Sequence, residues 1–142
     1  MYDLNRFLKA QERDYDTALS EIRSGHKRSH WIWYIFPQVK GLGFSSISEF
    51  YGIDGLAEAK AYMENGTLRR RLIEISEALL TLESSDAGDV MGYPDDLKLK
   101  SSMTLFGEAA PEEKIFLKVL DKFFGGKKDE RTLEILKVMD KK

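Results

Sequence analysis

The chain contains no cysteine. That excludes a disulfide framework and any thiolate metal site, and it is compatible with a reducing compartment. No apolar run reaches the roughly 18 residues that a membrane-spanning helix needs. The opening residues, MYDLNRFLKAQERDYD, lack the apolar stretch of a signal peptide. Neither sign of charge dominates: 22 basic residues face 24 acidic ones, for a net charge of −2. Such near-balance argues against broad electrostatic binding to nucleic acid or to an anionic membrane. The short basic runs Arg69–Arg71 and Lys127–Lys128 read as solvated helix faces. Internal repeats, low-complexity tracts and long linkers are also missing. The expectation is a soluble, cytoplasmic, bacterial-type protein whose residues 1–142 form a single helical domain. At 142 residues, about two-thirds of the surface of the unfolded chain can be buried.

What is present is helical periodicity. Leu4, Phe7, Leu8, Tyr15, Ala18, Leu19 and Ile22 recur at three- and four-residue steps between a capping Asp3 and Gly25. Asp54 opens a segment through Leu56, Ala59 and Met63 that Asn65-Gly66 closes. Thr67 can cap the next helix, with Leu68, Leu72, Ile75, Leu79 and Leu82 on one side. A polar break, ESSDAGD, follows. Pro94 suits the first turn of a helix running to about Phe106, and Pro111 the first turn of one carrying Ile115, Phe116, Val119, Leu120 and Phe123. Asp129 caps the last, with Leu133, Leu136 and Met139 inward. The predicted fold is all-α: a compact bundle of about six to eight helices around a short buried aromatic helix.

That aromatic helix comes from SHWIWYIFPQVKGLGFSS, residues 29–46. Read as a strand, its alternation would be buried on both faces, but no partner strand exists elsewhere to pair its backbone. An all-round apolar helix must be buried on all sides, and Pro37 ends it. Trp31 and Trp33 are either core or the ring faces of a pocket. Buried, their N–H groups need partners. His30 stands at the entrance, where an imidazole can move protons near neutral pH. His26 lies four residues earlier; a helix there would let the two share a metal, but Gly25 breaks it and no third ligand is apparent, so no metal site is assigned.

Beyond the aromatics, Gln38 offers an amide and Lys40 a cation, while Gly41 and Gly43 free the backbone to approach a ligand, with Ser45 beyond. The same residues also suit a plain turn around Leu42 and Phe44. The glycines match neither a dinucleotide fingerprint nor a phosphate loop, so no cofactor is expected. In YPDDLKLKSSMTLF, residues 93–106, helical spacing puts Asp95, Lys98, Ser101 and Ser102 on a polar stripe and Leu99, Met103 and Phe106 on an apolar one. Three hydroxyls within four residues, ending at Thr104, mean either close helix contact or hydroxyls wanted in a site, because these residues are poor helix fillers. A nucleophile at Ser101 or Ser102 paired with His30 would lack the strand–turn–helix elbow that exposes such serines.

The segments DLNRFLKAQ, SGHKRSHWIWYIFPQVKGLGFSS, YGID with EAKAYM, and PDDLKLKSSMTLF together resemble the domain-of-unknown-function 1810 family, over about residues 3–132. The resemblance implies a compact, mostly α-helical domain without assigned catalytic residues. Some relatives carry the label calpastatin, although nothing in this chain resembles the inhibitory repeats of calpastatin. A looser likeness, of general character only, is to the YbiA-like proteins that act on ADP-ribose adducts. From the residues, two functions stand side by side. One is a pocket for a small anionic, ring-containing ligand, nucleotide- or ADP-ribose-like. Trp31 and Trp33 would stack the ring, while Gln38, Lys40, Gly41, Gly43, Ser45, Lys98, Ser101 and Ser102 would meet its polar groups. Were that pocket catalytic, His30 or Asp95 would transfer the proton and the reaction would be glycosidic hydrolysis. The other is a non-enzymatic helical module that docks proteins.

Overall fold

The computed structural model describes residues 2–140, and within them nine helices. Helix α1 spans Asn5–Arg23, α2 Ile32–Ile35, α3 Ser46–Tyr51, α4 Gly55–Glu64 and α5 Gly66–Leu80. They are followed by α6 at Ala87–Met91, α7 at Asp95–Ala109, α8 at Ile115–Phe124 and α9 at Glu130–Asp140. The all-α expectation holds. The two helices beyond the seven read from sequence are short: α3 lies within FSSISEFYG and α6 within the polar break. Both begin at an oxygen cap. Ser45 Oγ accepts from the Ser48 N–H, and Asp86 Oδ1 accepts from those of Gly88 and Asp89.

Several helix ends differ from expectation. Leu4, not Asp3, stands at the N-cap of α1, with no side-chain cap bond. Asn65 rather than Thr67 caps α5, its Oδ1 accepting from the Thr67 and Leu68 N–H groups. Helix α7 runs on to Ala109, and α8 starts only at Ile115, because residues 110–113 form a turn closed by the Glu113 N–H on the Ala110 carbonyl.

The aromatic segment is a helix, and it is central. Trp31, Ile32, Tyr34, Ile35 and Phe36 are all buried, and the Phe36 N–H closes the turn on the Ile32 carbonyl at 3.1 Å. Around it a relay of rings joins four helices: Phe7 of α1 meets Tyr62 of α4 edge-on at 5.3 Å, Tyr62 meets Phe106 of α7 at 5.0 Å, and Phe106 meets Phe116 of α8 at 6.0 Å. Each such buried ring contributes roughly 2–3 kcal/mol. Gln11 of α1 fixes the relay, donating through Nε2 to the Tyr34 carbonyl at 2.8 Å and to Tyr62 Oη at 2.9 Å.

Two devices shape the loop after α2. A parallel bridge joins Val39 to Ile53, through the Lys40 N–H on the Ile53 carbonyl and the Ile53 N–H on the Gln38 carbonyl. Only glycine fits beside it at 52, because a Cβ there would meet Lys40 Cα and the Ser48 carbonyl oxygen at 2.9 Å each. Arg6 of α1 then clamps the end of α3, donating to the Phe50 and Gly52 carbonyls and pairing with Glu58 at 2.9 Å.

Candidate functional site

The site begins with a buried carboxylate. Glu21 sits on the inner side of α1, and Oε1 accepts from the Arg28 N–H, the Ser29 N–H and Trp31 Nε1 at 2.8–2.9 Å, while Oε2 accepts from Ser29 Oγ. Desolvation pushes this carboxyl up. The bonds from the Ser29 hydroxyl, the Arg28 N–H, the Trp31 indole and the Ser29 N–H outweigh it and hold the group at about 2. Four donors on one side chain fix the 28–31 turn, and through it the start of α2.

From that turn a line of alternating charges and rings crosses to α7. Lys27 Nζ lies 4.9 Å from the Trp31 ring centroid and 2.7 Å from Asp95 Oδ2. Asp95 Oδ1 meets Lys98 Nζ at 3.2 Å, and Lys98 Nζ lies 4.2 Å over the Trp33 ring. The Lys27 side chain is only 6% exposed. Its stem lies along apolar surface while its head satisfies Asp95, which locks the first turn of α7 to the loop before α2.

A third element completes the enclosure. Asp129 caps α9, with Oδ2 accepting from the Thr132 N–H, from Thr132 Oγ1 and from Ser101 Oγ at 2.9 Å. The Asp129 N–H donates to Thr104 Oγ1, also at 2.9 Å. The hydroxyls of α7 therefore act largely as docking points for the start of α9.

Between these elements lies an open hollow of about 310 Å³. Five residues singled out in the sequence line it: Trp33, Gln38, Gly43, Lys98 and Ser101. Leu42, Pro94 and Leu97 add apolar wall, and Lys100, Asp129 and Arg131 add charge. Gln38 is 7% exposed, and its Nε2 has no hydrogen-bond partner among the described groups.

A family model, described as "Protein of unknown function (DUF1810)", matches residues 1–136. The chain belongs to the DUF1810 family. Among solved structures, this DUF1810 chain is similar to the conserved hypothetical protein Rv1873 from Mycobacterium tuberculosis. The two are 42% identical over 96% of this chain and 97% of that one, with a TM-score of 0.93. No curated protein matches the chain.

The other expected site residues stand outside the hollow's lining. Trp31 is core: it is 1% exposed and its N–H is bound to Glu21. Ser102 falls in the buried sector of α7 with Leu99 and Phe106, its Oγ unpartnered among the described groups. Ser45 caps α3. Lys40 and Gly41 are exposed, and Gly41 takes the left-handed φ of +104° that its turn needs. His30 is exposed, and Asp95 is held between two lysines. The segment between His26 and His30 is not helical, and His26 Nδ1 lies 3.0 Å from the Asp89 carbonyl oxygen. Among the described residues no group of three or more His, Asp or Glu side chains could hold a metal, and no helix is long and apolar enough to cross a membrane.

Sequence reasoning missed Glu21, Lys27, Lys100 and Arg131, and read Asp129 only as a cap. Glu21 did leave a signal, since a carboxylate between Ala18 and Ile22 on an apolar stripe needs internal donors. Lys27 and Arg131 left none, because their roles depend on which distant element they meet.

Proposed function

We propose that the hollow binds a small anionic molecule with a planar ring, of nucleotide or ADP-ribose type. The observation that carries this reading is the company of Gln38: a buried, unpartnered amide donor shares one hollow with an indole and three cationic side chains. A buried donor left unpaired costs about 1–3 kcal/mol, and a turn of the Gln38 amide toward the hollow would let an acceptor on a bound molecule recover it. Lys98 already covers one face of Trp33, so a ligand ring takes the open part of the indole while its anionic group meets Lys98, Lys100 or Arg131. The volume suits a nucleoside-sized molecule.

Binding rather than catalysis is what this geometry supports. His30 does not line the hollow, and the carboxylate that does, Asp129, is engaged by Ser101 and Thr132. A thermal-shift screen of nucleotides and ADP-ribose tests the reading. A ligand at a hundred times its Kd stabilises by about 2.7 kcal/mol, enough to raise the Tm by about 5–10 °C. The shift should vanish in Trp33→Ala and fall in Lys98→Ala and Gln38→Leu. No shift from any of these compounds at millimolar concentration would remove the reading.

One feature favours the second reading, a protein-docking module. Phe44, Ile47 and Phe50 are all exposed, on and just before α3. If Phe44→Ser with Phe50→Ser abolishes self-association or partner capture while every nucleotide leaves the Tm unmoved, docking is the function of this chain.

A further inference from the structure

The hollow does not end at Lys100 and Arg131. On their far side an open shelf of about 770 Å³ continues around the start of α9. Lys100, Asp129 and Arg131 line both spaces, so hollow and shelf adjoin. The shelf adds Lys127, Lys128 and Glu130.

Its charges are not equally available. Lys128 is paired with Glu108 at 2.9 Å. Asp129 turns Oδ2 toward Ser101 and Thr132. Lys100, Lys127 and Arg131 form no ion pair among the described residues. Three unpaired cations thus outnumber the two carboxylates of the shelf, Asp129 and Glu130, at the start of α9. The hollow next door holds the independent sign of a ligand, the unpartnered Gln38 amide, more than nine-tenths buried. Two cationic stations, Lys98 inside, which shares the single charge of Asp95 with Lys27, and Lys127 with Arg131 outside, ask for two anionic groups on one molecule.

We propose that the ligand of the hollow is a diphosphate or longer polyphosphate ester, with its ring at Trp33, its first phosphate near Lys98 and its distal phosphate on the shelf between Lys100, Lys127 and Arg131. This rests on the reading of the hollow as a site for an anionic, ring-bearing molecule. It adds the substrate class: compounds with a single phosphate fill only half of the surface. Phosphate oxygens accept charge-assisted bonds from lysine and from the arginine fork, about twice as strong as neutral ones.

Calorimetric titration of the full chain with the ribonucleoside monophosphate and diphosphate pairs of all four bases separates the possibilities. For at least one base, the diphosphate should bind about tenfold or more tightly than its monophosphate, with a steeper loss between 50 and 200 mM salt as roughly one more charge contact is screened. Lys127 lines only the shelf. Lys127→Glu should therefore reduce the diphosphate advantage to within about threefold and leave monophosphate affinity unchanged. Monophosphate and diphosphate binding within twofold of each other overturns the shelf and leaves the hollow standing. Equal weakening of both by Lys127→Glu also overturns the shelf. Absence of binding by all eight nucleotides and by ADP-ribose, in a protein whose circular dichroism and Tm are normal, overturns the hollow and the shelf together.

Discussion

Replacing Glu21 by glutamine should break the frame that holds α2. The carboxylate accepts four hydrogen bonds, three on Oε1 and one on Oε2. A glutamine keeps one oxygen and turns a donor amide toward Ser29 Oγ or toward two backbone N–H groups. The depression of the carboxyl from 4.5 to about 2 sets a scale. At about 1.4 kcal/mol per pH unit, it caps the contribution of the ionised group at about 3 kcal/mol. Because the folded pKa lies below the unfolded one, that stability is fully present above about pH 4.5 and is lost as the pH falls towards 2. Urea unfolding should therefore place Glu21→Gln about 2–3 kcal/mol below the parent at pH 7, with the gap closing as both are titrated from pH 5 to pH 2.5. The signal of Trp31 should change in the native baseline as its indole N–H loses an anionic acceptor. Stability at pH 7 within 0.5 kcal/mol of the parent, or a gap independent of pH, would refute the reasoning, since either means that the four donors find equal partners without the charge (about 0.5 kcal/mol being the usual scatter of surface substitutions).

Other outcomes follow from named contacts. Thr104→Val removes the oxygen that accepts from the Asp129 N–H, and should loosen α9 by about 1–2 kcal/mol, read as faster amide exchange in α9 with α1 unchanged; unchanged exchange in α9 would contradict the docking role. Gly52→Ala forces a Cβ against Lys40 Cα and the Ser48 carbonyl, and should cost about 1–3 kcal/mol by chemical unfolding; a neutral result would mean that the Val39–Ile53 bridge yields freely. Lys98→Met should cost less than about 1 kcal/mol, because Lys27 still holds Asp95, whereas Lys27→Met should cost more, since Lys27 is the deeper partner; the reverse order in thermal melts would be fatal to that assignment.

The fold was legible because periodicity and punctuation survive without tertiary knowledge. The stripe of α1, the all-round apolar α2 and the glycine pair closing α8 can be read residue by residue, and Gly125 does take the left-handed conformation. Short helices were not legible. Helices α3 and α6, of six and five residues, have too few turns to show a period, and only their Ser45 and Asp86 caps mark them. The site was half legible. Side-chain chemistry singled out Trp33, Gln38, Gly43, Lys98 and Ser101, which the fold brings to one hollow. The same chemistry could not tell Trp31 from Trp33. Trp31 just precedes the four-residue α2 and Trp33 lies within it; one indole turns to Glu21 and the other to Lys98, and that is decided by α1 and α7 rather than by neighbours in sequence. Arg131 reaches the hollow only through the hydroxyl-mediated seating of α9 on α7.

The unequal surroundings of the two indoles give this chain a built-in optical gauge. Trp31 is sealed and Trp33 is part-open, so their emissions separate into a blue, quencher-resistant component and a redder, acrylamide-sensitive one. Whatever enters beside Lys98 must dim or shift the second while leaving the first alone. Occupancy of the hollow can therefore be followed in unlabelled protein, with the sealed indole as internal standard.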